Sequence, residues 1–233
     1  MANVFSLRVA LQTAMVCACA LALVASPSHA QDAAAEASVS SDNGIQESDN
    51  NRGVFISQIG TTNRANVTQD DSRSFARIIQ NGANNAADLS QSGEGIHRAS
   101  AAQSGDGNVL VSQQTGTGDT TLLFAQEGDT NSAILLQNET SNLSSEAAIL
   151  QRGDTNNITL IQDGSNNQAQ LTQDGNANTM TATQLNSGNR LTWTQQGDGL
   201  SDLQITQDGG STMEITQSNS GAAFAPPAGG SGG

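Results

Sequence analysis

Glutamine recurs along this chain at a nearly constant interval, and that interval restricts the possible folds more than any other feature. Gln58, Gln80, Gln103, Gln126, Gln151, Gln173, Gln195 and Gln217 are separated by 22, 23, 23, 25, 22, 22 and 22 residues. A second series lies between them: Gln69, Gln91, Gln113 or Gln114, Gln137, Gln162, Gln184 and Gln207. A fixed period of roughly 20–50 residues marks a chain assembled from stacked supersecondary units. The unit here is about 22 residues in two halves, and seven and a half units run from about 52 to 217.

Alternate side chains of a β-strand share one face, so each half-unit can be tested by stepping back from its glutamine in twos. Two residues back, the series runs from Ile56, Val67 and Ile78 to Trp193, Ile205 and Ile215; four back, it runs from Val54, Ala65 and Ala76 to Leu191, Leu203 and Met213. Every position in both series is apolar if Gln113 anchors the sixth half-unit, which contributes Val111 and Val109. Gln114 would contribute Ser112 and Leu110 instead, and the register of that segment stays open. The odd positions are mixed, with Asn66, Arg77, Asp88, Thr181 and Glu214 among them. Period two over fifteen segments predicts fifteen strands, each with one apolar and one solvated face.

The segments between strands carry turn chemistry. Gly60, Gly82, Gly105, Gly128, Gly153, Gly175 and Gly197 each stand two residues after a glutamine of the first series. Glycine and asparagine tolerate the positive φ that tight turns require. Turns between units are looser, the longest being 138–144. Proline occurs only at Pro27, Pro226 and Pro227, so none interrupts a ladder.

A 22-residue strand-turn-strand unit cannot bury a face alone; successive units must stack, each residue about 4.7–4.8 Å above its equivalent. At that spacing a column of glutamine amides can hydrogen-bond to itself, because each carboxamide both donates and accepts. A second polar column lies six residues before the glutamine: Asn63, Asn85, Asn108, Asn131, Asn156, Asn167, Asn178 and Asn189, with Ser74, Ser145, Ser201 and Ser211 in other strands. The expected fold is therefore all-β: a β-solenoid of two parallel sheets, about 7.5 rungs, amyloid-like in its ladders.

Composition agrees with a core that is not built mainly from oil. Aromatic residues make up 3% of the chain, tyrosine is absent, and 35% of residues are apolar, against roughly 45–50% in ordinary globular domains. Residues 1–30 combine an early arginine, an apolar run and the exit Ser28-His29-Ala30, and read as a secretory signal peptide. Cys17 and Cys19 both fall inside it, leaving no thiol for disulfides or metal ligation afterwards. Residues 31–51 read as an acidic flexible segment, 52–217 as the repeats and 218–233 as a Gly/Ala/Pro-rich tail. All twenty-two acidic residues and seven of the eight basic ones follow residue 30, a formal charge of −15, and there is no lysine. Such a balance argues against nucleic acid and against anionic membranes. Acidic residues placed in turns, at Asp129, Asp154, Asp163, Asp174 and Asp208, read as gatekeepers against premature assembly.

Catalytic chemistry has little to draw on. Beyond residue 30 the single histidine is His97, in the column position where other strands place serine or asparagine. No cluster has metal-ligand spacing, and no cofactor, small-molecule substrate or enzymatic activity is expected. Arg152-Gly153-Asp154 spells an adhesion-like tripeptide, but the repeat already accounts for Gly153. The fifteenth strand, 211–217, is half a unit without a partner yet keeps Met213, Ile215 and Gln217 in the standard columns. Its edge is a template for a further strand. A monomeric secreted solenoid using an outer face, as an adhesin or surface-binding protein, is the alternative, motivated by Thr172, Thr194 and Thr216 on one outer column.

The stretch "SFARIIQNGANNAADLSQ", residues 74–91, resembles the curlin repeat throughout: Ser74, five residues, Gln80, one residue, Gly82, two residues, Asn85, one residue, Ala87, three residues, Gln91. Weaker copies cover 52–217; Arg52 stands where serine is expected, and the Gln195 unit lacks the asparagine. Curlins are subunits of curli, the extracellular amyloid fibres (pilus or fimbrium in older usage) of bacterial biofilms. The resemblance implies a secreted, cell-surface subunit that polymerises with itself, a second curlin-type subunit as partner, export through an outer-membrane secretion channel, and roles in adhesion and biofilm matrix. It does not resolve major subunit from nucleator. The acidic segment 31–51 departs from the Gly/Asn-rich export segment of the family.

Overall fold

The computed structural model describes residues 36–41, 53–70 and 73–219. The expected leader over 1–30, most of the acidic segment over 31–51 and the tail from Ser220 lie outside the described residues. Within them the chain is a parallel β-solenoid of two eight-stranded sheets. One sheet stacks β1 (Glu36–Ser41), β3 (Arg64–Gln69), β5 (Ala86–Gly93), β7 (Val109–Gly116), β9 (Ser132–Glu139), β11 (Asn157–Ser165), β13 (Thr179–Ser187) and β15 (Ile205–Asp208), in that order. The other stacks β2 (Gly53–Ile59), β4 (Phe75–Asn81), β6 (His97–Ser104), β8 (Asp119–Glu127), β10 (Ser144–Arg152), β12 (Gln168–Asp174), β14 (Arg190–Gln196) and β16 (Thr212–Ser218). Every pairing is parallel, so each rung climbs one sheet, turns, and climbs the other, about seven turns in all.

Register follows the glutamines. Gln80 pairs with Gln103, Gln103 with Gln126 and Gln151 with Gln173 in one sheet, while Gln137 pairs with Gln162 and Gln162 with Gln184 in the other. A one-residue slip would exchange inner and outer faces of a strand, so the buried pattern pins the alignment. In β4, for example, Ala76, Ile78 and Gln80 are buried while their neighbours are half-exposed. The inward apolar positions form one continuous core from Ala65 to Trp193, with Val54, Ile56, Ile205 and Ile215 packed against its ends. Phe124 and Trp193 are its two aromatic members and are fully buried.

Three features differ from the sequence reading. The open register of β7 is settled in favour of Gln114, which pairs with Gln91 and Gln137. Leu110, Ser112 and Gln114 therefore face inward, and Val109 and Val111 stand outside at 39% and 40% exposure. The inner column thus contains one hydroxyl, Ser112, and is not wholly apolar. The ladder partner on both neighbouring rungs outweighs the alternation of two valines.

The second difference is at Leu203, expected in the inner column but 47% exposed. The sequence places 23 residues between Gln184 and Gln207, one more than in the preceding step of 22. Gln204 takes φ +50, and Asp202 Oδ1 accepts from both Thr181 N and Gln204 N. That side chain replaces a strand carbonyl, and β15 shrinks to four residues. The third is β1, a strand within the segment read as flexible. It aligns Ala37 with Ala65, Val39 with Val67 and Ser41 with Gln69. The small-apolar-polar alternation is present there, but serine stands where the glutamine count looks for its anchor.

Candidate functional site: amide ladders and two open ends

The glutamines face inward, and those of the interior rungs are buried with both ends of the carboxamide bonded. In the even-numbered sheet, Gln58, Gln80, Gln103, Gln126, Gln151, Gln173 and Gln195 each donate through Nε2 to Oε1 of the next, at 2.6–2.9 Å, ending on Gln217. In the odd-numbered sheet the run is Gln69, Gln91, Gln114, Gln137, Gln162, Gln184 and Gln207, at 2.5–3.1 Å. All thirteen bonds point the same way, toward the C-terminal end. The second N–H of each interior amide crosses to a backbone carbonyl at the start of the facing strand: Gln80 to Arg64 O, Gln126 to Val109 O, Gln162 to Glu146 O. One side chain therefore ties rung to rung and sheet to sheet. No buried side-chain N or O among the described residues lacks a partner, which removes the cost of roughly 1–3 kcal/mol that an unpaired amide would carry.

The asparagines do something different from what the single column suggested. They occupy two edges of the solenoid. Asn63, Asn85, Asn108, Asn131, Asn156 and Asn178 line the edge inside each unit; Ser74, His97, Ser145, Asn167, Asn189 and Ser211 line the other. Their bonds go mainly to backbone. Asn85 Oδ1 accepts from Asn108 N at 3.0 Å, and Asn85 Nδ2 donates to Gly105 O at 2.7 Å. Asn131 likewise accepts from Asn156 N and donates to Gly153 O. Each asparagine is a staple that holds the turn of the next rung. In the Gln195 unit Leu200, not Ser201, takes the column position, its N–H donating to Asn178 Oδ1 at 2.9 Å. Ser201 is exposed. Without a staple there, the rung that follows is the one that loses register.

The turn glycines stack as closely as the glutamines. Gly82 has φ +128, and a Cβ built on it would lie 2.1 Å from Gly105 O, a backbone atom that cannot move aside. The same contact, at 1.9–2.3 Å, recurs from Gly60, Gly105, Gly128, Gly153 and Gly175 onto the glycine one rung later. At the last turn Gly197 faces Asn219 instead. Beside them runs an acidic column: Ala83 N donates to Asp106 Oδ1, Asp106 N to Asp129, Asp129 N to Asp154, Asp154 N to Asn176, and Asn176 N to Asp198, all at 2.7–2.8 Å.

Against this geometry, a family model described as the curlin associated repeat matches residues 144–175. Over that stretch the chain is similar to a curlin repeat. The matched stretch carries Ser145, Gln151, Gly153, Asn156, Gln162, Asn167, Gln173 and Gly175, one complete rung and the start of the next, with both ladders and both staple edges. No curated protein and no solved structure matches the chain.

Two residues of this chain escaped the sequence reading. Glu139 ends β9, where the longest inter-unit turn begins, and is fully buried. Its carboxylate accepts from Ser141 N and Oγ, from Ser145 Oγ at 2.6 Å, and from Asn166 N at 2.9 Å. It closes the loop of 138–144 as asparagine closes shorter ones, and only its place in an overlong loop hinted at this. Trp193 Nε1 donates to Gln217 Oε1, so the final glutamine accepts twice. His97 is a satisfied ladder member: Nε2 donates to Ser92 O, and Nδ1 lies 2.9 Å from Thr120 Oγ1. The tripeptide Arg152-Gly153-Asp154 is spoken for as well, by Glu127, the glycine stack and Asp129 N.

Among the described residues, nothing covers either end of the even-numbered sheet. At the C-terminal end β16 keeps the column residues Met213, Ile215 and Gln217 but is mostly exposed, Met213 at 37%. At the N-terminal end of the same sheet β2 is only half-buried. The outward N–H and C=O groups of such an edge strand are a template for strand addition.

Proposed function

We propose that this chain is a curlin-type, structural, non-catalytic subunit of an extracellular curli-like amyloid fibre, growing by head-to-tail addition of further copies. The observation that carries the reading is the direction of the ladders. Every glutamine donates forward, so the C-terminal end ends in an amide donor and the N-terminal end begins with the Gln58 acceptor. Copies stacked with the same polarity continue the ladder, whereas an inverted copy would oppose donor to donor and turn parallel pairing antiparallel. Added strands then gain ladder bonds and bury Met213 and Ile215, while the backbone edge is satisfied.

In this reading the chain is secreted to the cell surface through an outer-membrane channel, is seeded by a second curlin-type subunit, and serves adhesion and biofilm matrix. The acidic turn column limits assembly before export: Asp106, Asp129 and Asp154 stand one strand spacing apart and repel within a monomer. The test is aggregation of purified chain followed by thioflavin fluorescence, with and without preformed seeds. Self-assembly gives fibres and a lag abolished by seeds. A chain that stays monomeric with full strand content overturns it and leaves the secreted solenoid adhesin.

A further inference from the structure

The two sheets are offset by one strand at each end, and the offsets match. Sheet order runs β1 to β15 on one side and β2 to β16 on the other. Rungs within the chain pair β2 with β3, β4 with β5 and so on to β14 with β15. At the C-terminal end β16 continues the even sheet one level beyond β15, pairing with β14 through Leu191 and Met213, Trp193 and Ile215, and Gln195 and Gln217. At the N-terminal end β1 continues the odd sheet one level before β2, pairing with β3.

We infer that successive copies meet in a lap joint, in which β16 of one copy and β1 of the next lie side by side and form one complete rung from two chains. This rests on the self-assembly reading above and specifies its interface. Extending the registers gives the contacts. In the even sheet Gln217 meets Gln58 of the next copy, Ile215 meets Ile56, and Thr216 meets Ser57. In the odd sheet Gln207 meets Ser41 of the next copy, Ile205 meets Val39, and Thr206 meets Ser40.

Without β1 a second copy docking on β16 would leave β15 facing β3 across a missing strand. That gap of two strand spacings, about 9.6 Å, would strip one row of backbone hydrogen bonds from each joint. With β1 the strand count is sixteen, an even number, and the helical path of the solenoid continues through the joint without a gap. The even-sheet glutamine ladder runs unbroken across it, and in the odd sheet Gln207 comes into register with position 41.

The experiment uses chains in which Cys17 and Cys19 are replaced by serine and one new cysteine is added. Thr206→Cys chains are mixed with Ser40→Cys chains, assembled, and treated with a short bifunctional maleimide. Ser40 and Thr206 lie seven strand spacings apart in one copy, about 34 Å, so a short link between them joins two copies. Parallel mixtures pair Thr216→Cys with Ser57→Cys for the even-sheet joint, and Thr206→Cys with Thr68→Cys for a blunt joint that skips β1. The lap joint predicts covalent dimers from the 206/40 mixture at least five-fold above the 206/68 mixture, with 216/57 also linked. Linkage of 216/57 together with 206/68 in place of 206/40 overturns the lap joint and leaves head-to-tail assembly standing. Absence of fibres and of any 216/57 link overturns self-assembly, and the joint with it.

Discussion

Replacing Gln126 by leucine interrupts one glutamine ladder at its centre while keeping side-chain size. Gln126 is 1% exposed, accepts from Gln103 Nε2 at 2.8 Å, and donates to Gln151 Oε1 at 2.8 Å and to Val109 O at 3.2 Å. Gln126→Leu leaves one N–H of Gln103 and the Oε1 of Gln151 buried without partners, since these residues are 2% and 0% exposed. Each orphan costs roughly 1–3 kcal/mol. The leucine returns about 2 kcal/mol of apolar burial, so the net loss centres near 2 kcal/mol. Urea unfolding, with a slope of about 2–3 kcal/mol/M for a chain of this size, then shifts its midpoint down by roughly 0.8 M. Trp193, the single tryptophan, is buried three rungs further on and reports the C-terminal part of the stack, while circular dichroism reports the whole. Because a solenoid is held by nearest-neighbour contacts, a central fault should also separate the two transitions. Gln217→Leu, at the half-buried end, should move the midpoint much less. An unchanged or raised midpoint for Gln126→Leu refutes the reasoning, because the ladder amides would then contribute nothing beyond filling space.

Gln126→Glu keeps the acceptor but places a carboxylate against Gln151 Oε1 and Val109 O, so the protonated form is favoured in the fold and its pKa rises above the unfolded value of about 4.3. A group with a raised folded pKa contributes its stability below the unfolded pKa and loses it as pH rises through the folded one. Pairwise pH titration of urea midpoints should therefore show this variant near wild type at pH 4 and well below it at pH 7. Gly82→Ala, with Cβ 2.1 Å from Gly105 O, should fail to form ordered strand by circular dichroism, whereas Gly199→Ala, with φ +62 and nothing within 4 Å, should cost only about 1 kcal/mol in the same assay. Asp154→Asn retains the acceptor for Asp129 N and removes one charge from the column; its thioflavin lag should be shorter than wild type at low salt and converge with it at high salt. Asn131→Ala removes the staple to Asn156 N and Gly153 O and should lower the unfolding free energy from urea titration by about 2 kcal/mol, with Asn131→Ser intermediate because one acceptor survives.

Much of this architecture was legible because the fold repeats. A single strand such as Phe75–Asn81 could be read several ways, but fifteen segments in phase leave one register that suits both the apolar columns and the glutamines. Where two signals competed, the local one alone did not decide. Val109 and Val111 look like core residues, yet alignment of Gln114 with Gln91 and Gln137 turns them outward. Leu203 fits its column by counting back from Gln207, but the inserted residue and Leu200 in the staple position release the chain before it arrives there. The division of asparagines between two edges could not be read from their common distance to glutamine, because that distance is the same at either end of a rung. Glu139 escaped for a related reason: a buried carboxylate serving as a loop closure has no periodic partner to announce it. Strand β1 has the alternation but not the amide, so a count anchored on glutamine passes over it.

The central claim is that carboxamides aligned from rung to rung do the structural work usually left to a thick apolar core. Solid-state NMR on chain labelled with nitrogen-15 at glutamine side chains, recorded after transfer to deuterated water, addresses it most directly. The account predicts that Nε2 protons of interior glutamines such as Gln103, Gln126 and Gln162 persist and show contacts to the carboxamide carbon of the glutamine one rung away. Side-chain protons that exchange as fast as those of a solvent-exposed glutamine, or that show no such contact, would contradict it.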